Sequence, residues 1–400
     1  MKNKQSFTED LSPRQILEID ACTQCGECLK HCPVQDVTVN PTVSPPEKIR
    51  MFREFIRASD GLKARLFGPD EVDRKLLEDF TRAVFECTTC GACGQSCPVG
   101  IFTQRLWPML RKEMVKRGLG PVGVQANLPK AITNSGNPYD KPAADRYRPW
   151  FPEKVSVADR ADVAYYAGCT GAYEAQPMVR GDALVLGAIG EPFTMLPSDE
   201  EVCCGFPLFI TGQHDLLENL VKRLVEGYKA RSVRTLVCSC PCCVNIMSRD
   251  WPAIYGRELP FTIRHITQFV AAAMQQGKLR ISKELHERVI YHDPCYLSRG
   301  VGVIEEPREV LRSIPGLTLL EFERHGLNSR CCGSGGAARK VFHENAIKMG
   351  RMTIDEAVKK KADRLILSCP ACYAKVNEAM QGHDKQIRIT DIMELISSLI

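Results

Sequence analysis

The apolar positions of this chain change period twice. In PPEKIRMFREFIR, after a proline pair, Ile49, Phe52 and Ile56 fall at helical spacing, and EVDRKLLEDFTRAVFEC repeats the pattern with Val72, Leu76, Phe80 and Val84. This predicts a helical N-terminal region ending near residue 120. Residues 120–154 then carry prolines, glycines and asparagines that break any sustained period, as a linker or wrapping segment would. Further on, short runs of Val, Ile, Leu and Tyr end at cysteines and alternate with helical stretches. Leu217, Leu220, Val221, Leu224 and Tyr228 form one such stretch, and Ile347, Ile354 and Val358 another. Strands alternating with helices predict parallel sheets.

The second region is an internal repeat. Cys169, Cys203, Cys204, Cys240 and Cys243 are answered by Cys295, Cys331, Cys332, Cys369 and Cys372, at offsets of 126, 128, 128, 129 and 129. The flanks repeat too: ADVAYYAGC matches RVIYHDPC, EEVCCGFP matches SRCCGSGG, and VRTLVCSCPCC matches ADRLILSCPAC. Each copy is expected to close on an amphipathic helix, with Ile263, Ile266, Phe269 and Val270 answering Ile389, Ile392, Leu395 and Ile396 at an offset of 126. In parallel sheets the ligand crevice lies at the carboxyl ends of the strands, where Cys169, Cys240, Cys295 and Cys369 would emerge, so the five thiols of a copy can converge. Gly205 and Gly333, after the cysteine pairs, would let the backbone turn and approach a bulky inorganic ligand. Cys238 and Cys242 have no counterpart; Cys238 is read as packing in a strand, and Cys242 as inert or, alternatively, a spare thiol near the cluster.

Composition sharpens this. Twenty cysteines without an apolar secretory start argue for metal ligation in a reducing compartment rather than a disulfide scaffold. Lys plus Arg exceed Asp plus Glu by only five, and the charges are interspersed, which argues against nucleic-acid binding. No run approaches eighteen apolar residues, so the expectation is a cytoplasmic protein, at most peripheral on a membrane through a partner subunit.

The first eight cysteines form two C-x2-C-x2-C-x3-C-P runs separated by 54 residues. In that pattern three thiolates wrap one iron–sulfur cube and the fourth reaches the neighbouring cluster. Cys22, Cys25, Cys28 and Cys97 would hold one cubane [4Fe-4S] cluster, and Cys87, Cys90, Cys93 and Cys32 the other. Zinc knuckles would use cysteines two by two rather than four closing on a proline. GSGGAA follows a cysteine pair, where a cluster loop is a simpler use than a dinucleotide fingerprint, so any flavin or nicotinamide belongs to a partner.

With these motifs in view, the chain resembles the D-subunit type of heterodisulfide reductase protein, in effect the C and B subunits of the soluble enzyme fused, and is similar to the K subunit of the sulfite-reductase-associated membrane complex. The resemblance rests on the dicluster ferredoxin region, the GNPY stretch and both copies of the cysteine-rich CCG domain. It implies an α plus α/β chain: a helical dicluster ferredoxin domain at residues 1–120, a wrapping segment at 121–158, and CCG domains at 159–285 and 286–400. It also implies that each five-cysteine set holds a noncubane [4Fe-4S] cluster, and that a disulfide or heterodisulfide is cleaved or formed between them. His292 or Asp293, beside Cys295, is a candidate proton donor or a loop cap; Arg299 is a candidate for attracting an anionic substrate. Implied partners are a flavin-containing or cytochrome b type redox subunit and a small disulfide-carrying protein or thiol. The competing reading is a subunit that only passes electrons, as in glycolate or lactate oxidase complexes. Those subunits resemble one another in an Asp-Gly-Pro-Arg run where this chain reads VQDVTVNPTVSPPEKIR.

Overall fold

The computed structural model describes residues 6–400. Two prolines open the helix Pro45–Asp60, where their missing amides cost nothing, and the helix buries Ile49, Met51, Phe52 and Phe55. Asp73 caps the helix Arg74–Glu86 through a bond from the Leu76 amide of 3.1 Å. That cap sets Leu77, Phe80, Ala83 and Val84 inward; Leu76 is only half-buried, and Val72 precedes the helix. Phe7, Phe52, Phe55 and Phe80 meet with ring centres 5.1 to 6.0 Å apart. Burying each ring contributes about 2 kcal/mol.

The chain divides into two compact units that are not contiguous in sequence. The first contains the described residues through Asn127 together with Pro207–His214 and Gly333–Met349; the second contains the remainder. The expected divisions at residues 120, 158 and 285 take no account of the two short segments, which follow the Cys203–Cys204 and Cys331–Cys332 pairs. Within the first unit, Phe342 packs on the aromatic core and Met349 joins Cys32, Val34 and Val43.

The second unit holds two four-stranded parallel sheets. Strands β1 (Val163–Tyr166), β2 (Phe193–Thr194), β3 (Thr235–Cys238) and β4 (Thr262–His265) are ordered β2-β1-β3-β4. Strands β5 (Arg288–Tyr291), β6 (Thr318–Glu321), β7 (Arg364–Leu367) and β8 (Arg388–Asp391) repeat that order as β6-β5-β7-β8. Val163 pairs with Thr235 and Val289 with Arg364, so the central register repeats as well. Ile263 and Ile389, expected on helices, lie on β4 and β8 and pair with Leu236 and Leu365. The helices begin only at Ile266 and Ile392, where His265 and Asp391 form capping boxes.

The two sheets share one core. Helix Gln176–Ile189 of the first copy packs on helix Ile392–Ser397 of the second, and helix Ile266–Gln275 on helix Glu305–Arg312. A Cβ at Gly181 would lie 2.6 Å from the Glu394 amide nitrogen, so the first of these contacts is nearly backbone to backbone. The segment expected to be a linker contains helix Leu128–Ser135 and buries Asn137, Arg146 and Trp150. Among the described residues no helix is long and apolar enough to cross a membrane.

Candidate metal centres

Eight cysteines lie in the first unit. Cys22, Cys25, Cys28 and Cys97 line one pocket together with Cys93. Cys32 falls electrostatically beside Cys87 and Cys93 rather than with the other thiols of its own run. Burial pushes the Cys28 thiol up to about 12 and Cys93 up to about 11, reinforced in each case by neighbouring sulfurs. Thiols packed this way ionise only when a cation takes the proton's place, and metal binding supplies one. Cys25 is exposed, whereas Cys32, Cys87, Cys90 and Cys93 are buried. Beside the buried set, the Lys48 ammonium sits 4.4 Å from the centre of the Trp107 ring and pulls Cys32 and Cys93 down.

Arg111 is fully buried and donates to the carbonyls of Val84, Phe85, Cys87, Ile210 and Gly336. The first two carbonyls belong to the last turn of helix Arg74–Glu86, where intrahelical donors run out. One guanidinium thus ties a cluster-motif loop to both segments that follow the cysteine pairs. The glycines of CCGSGG have their reason here: a Cβ at Gly335 would lie 2.3 Å from the Thr88 carbonyl oxygen, and one at Gly336 2.4 Å from that of Cys87.

The ten repeated cysteines are between 1% and 8% exposed, which removes them from solvent. Cys169 lies in the first turn of helix Gly168–Glu174, just past β1. Cys295 opens helix Cys295–Val301, just past β5. Cys240 and Cys369 are N-caps of helices Pro241–Arg249 and Pro370–Met380, with Cys243 and Cys372 in their first turns. Positive helix ends favour thiolate. In the first copy, side-chain hydrogen bonds link Cys169 to Cys203, Cys203 to Cys204, Cys204 to Cys243 and Cys243 to Cys240. In the second, Cys332 Sγ lies 3.2 Å from Cys372 Sγ, and Cys372 bonds to Cys369. The Cys240 thiol neighbours that of Cys369, so the two sets meet.

The bearing helices interlock around that junction. Helix Pro241–Arg249 packs on helix Cys295–Val301, and helix Gly168–Glu174 on helix Pro370–Met380. The Phe206 and Tyr296 rings meet edge-on at 4.9 Å. Among the described residues no three His, Cys, Asp or Glu side chains form a single-ion site. Soft sulfur donors linked in series suit a multi-iron cluster better than one tetrahedral ion.

The remaining candidates fall as follows. Gly205 and Gly333 have φ of 87° and 92°, which a glycine adopts without strain. A Cβ there would also meet Leu217 Cδ2 or the Ala346 carbonyl oxygen, each at 2.7 Å, so the turns pack directly against neighbouring helices. His292 is buried; Nε2 donates to the Arg330 carbonyl at 3.1 Å, and burial lowers its pKa. The ring N–H is thus engaged with a carbonyl, as a loop cap would be. Asp293 is held by Arg308 through two bonds of 2.8 Å. Arg299 pins the carbonyls of Leu327 and Ser329, each at 2.8 Å. Cys238 packs in β3 near Met247, but Cys242 lies at the junction, bonded to Cys240 and beside Cys369 and Cys295. Periodicity carried no signal for Lys48, Arg111 or Arg146.

Residues 18–101 match the family described as 4Fe-4S dicluster domain, and residues 163–248 and 289–377 match the Cysteine-rich domain family. The D subunit of the dihydromethanophenazine:CoB--CoM heterodisulfide reductase of Methanosarcina barkeri is 38% identical over 98% of this chain and 97% of its own. The B subunit of the fumarate reductase (CoM/CoB) of Methanothermobacter marburgensis is 29% identical over 95% of this chain and 72% of its own. The EtfAB:quinone oxidoreductase of Syntrophomonas wolfei is 25% identical over 97% of this chain and 59% of its own. A crystal structure of a hypothetical protein from Helicobacter pylori is similar at a TM-score of 0.57 and 9% identity, covering 96% of this chain and 74% of that one, a likeness of fold alone. The dicluster region, the doubled cysteine-rich domain and the near full-length relatives agree: this chain belongs to the D-subunit family of heterodisulfide reductases and is an iron–sulfur oxidoreductase component.

Proposed function

We propose that the chain takes electrons from a redox partner subunit through two cubane [4Fe-4S] clusters and uses two noncubane [4Fe-4S] clusters to cleave or form a disulfide. The cubane sites are Cys22, Cys25, Cys28, Cys97 and Cys87, Cys90, Cys93, Cys32. The noncubane sites are the two repeated five-cysteine sets. The observation that carries the reading is the close approach of the Cys240 and Cys369 thiols, one from each set, within one compact unit.

Reducing a disulfide breaks one S–S bond, consumes two electrons and two protons, and yields two thiols. Clusters, when bound, supply single electrons and iron positions for sulfur. The chain's own residues exclude water from both sets, hold each cysteine pair on a tight glycine turn, and fix the junction through the interlocked helices.

The test is anaerobic preparation with iron and sulfide assay, then EPR before and after adding candidate disulfides. About sixteen irons per chain and a new EPR signal with a disulfide are expected. About eight irons would remove the paired site. Sixteen irons without a disulfide-dependent signal would leave a chain that only passes electrons.

A further inference from the structure

Arg146 lies outside both copies of the repeat yet reaches into the first five-cysteine set. Its path is built by the GNPY stretch. The buried Asn137 closes that turn by donating to the Ser135 and Lys141 carbonyls at 2.9 and 2.8 Å. A short 3-10 turn, Ala143–Asp145, follows, and Trp150 Nε1 donates to the Arg146 carbonyl at 2.6 Å. The guanidinium, 1% exposed, bonds Glu201 Oε1 at 2.8 Å through Nη1 and lies 3.6 Å from Cys169 Sγ through Nη2. It sits 5.5 Å from the centre of the Tyr173 ring, and its Nε is buried without a partner. Glu201 spends its other oxygen on the Tyr147 hydroxyl at 2.6 Å. In the second copy the position of Glu201 is Ser329, so the repeat does not reproduce this ion pair.

We propose that Arg146 is a positioning charge that raises the reduction potential of the cluster site built on Cys169, with Glu201 as its partial counterweight. This rests on the reading that the first five-cysteine set holds a cluster. A fixed cation beside a ligating thiolate favours the state with one more electron, and in a water-excluded site its field is screened far less than in solvent. Removing the cation lowers the potential, and neutralising the acid raises it. A merely structural role has no reason to move the two variants in opposite directions.

The experiment is an EPR-monitored redox titration of the full, iron-loaded chain as wild type, R146Q, R146K and E201Q. R146Q is expected to lower one midpoint potential, R146K to stay near wild type, and E201Q to raise the same one. Unchanged potentials in R146Q, or a fall in R146K as deep as in R146Q, would overturn the proposal. If R146Q does not take up its cluster, E201Q decides: a rise supports the proposal, and no rise overturns it. Failure of these shifts with sixteen irons present leaves the disulfide reading intact. A missing disulfide signal alongside the expected shifts sinks only the disulfide reading.

Discussion

Replacing Arg111 by Met removes the donor for five buried carbonyls while keeping an unbranched apolar stem in place. A buried carbonyl left without a donor costs roughly 1–3 kcal/mol. The Val84 and Phe85 carbonyls end a helix and have no following turn to replace the lost donor. Allowing about half of the five to find water or relax, the expected loss is on the order of 5 kcal/mol, comparable to the whole stability of a typical domain. Lysine keeps the charge and supplies three donors without the planar fork, so R111K should lose on the order of 2 kcal/mol. Urea unfolding of the iron-loaded chain followed by far-UV circular dichroism measures both, with iron per chain determined in parallel. A loss below about 1 kcal/mol in R111M would refute the view that this one side chain secures the Cys87 loop and the two segments.

Gly336→Ala places a methyl against the Cys87 carbonyl at a position with φ of 65°, so a loss of about 1–3 kcal/mol and faster iron release to a chelator are expected. Burial raises the Glu113 carboxyl to about 7, against the opposing pull of Arg117. The folded state therefore holds this proton more tightly than the unfolded one: the contribution is complete below about 4.5 and is lost as pH rises through 7, so Glu113→Gln should flatten the decline in stability over that window when unfolding is followed against pH. Asp182, also raised to about 7, leaves a residual slope. Lys48→Met should lower the midpoint potential of the cluster proposed at Cys87, Cys90, Cys93 and Cys32, read by EPR titration, because Lys48 pulls Cys32 and Cys93 down. In the disulfide reaction proposed above, His292→Tyr should retain turnover far better than His292→Phe, since Tyr166, its counterpart, reaches the equivalent carbonyl with a phenol at 3.0 Å; equal loss in both variants would favour a proton-transfer role.

The cysteine-bearing strand ends were readable because their signal is local: VAYY, RVIY and RLIL are short apolar runs that stop at the next turn. β4 and β8 were misread because Ile263 and Ile266, or Ile389 and Ile392, lie three apart across a strand–helix junction, which mimics one helical face. Two-residue β2 is too short to show a period. The order of residues 128–154 and the burial of Arg146 within them come from partners distant in sequence: Arg146 with Glu201, and Tyr147 with the Leu196 carbonyl. The same holds for Pro207–His214 and Gly333–Met349, whose place in the first unit depends on carbonyls that Arg111 collects. Side chains that act on backbone carbonyls leave no periodicity.

The two copies agree in what holds sulfur and differ in what holds charge. Tyr165 bonds Ser239 and Tyr291 bonds Ser368 at the same 2.7 Å, each serine directly before the N-cap cysteine. Tyr166 and His292 perform one task with different chemistry, each donating to the carbonyl that precedes a cysteine pair. Around this shared frame the ionic groups diverge. Asp182 accepts from Tyr165 in the first copy, while its counterpart Arg308 bridges Asp293 and Glu321 in the second. Glu201 becomes Ser329, and Ala167 becomes Asp293. Buried charges shift cluster potentials and leave ligand geometry alone. A duplication that keeps the cradles and alters the charges therefore yields two sites alike in their sulfur frame and unlike in the buried charges around it.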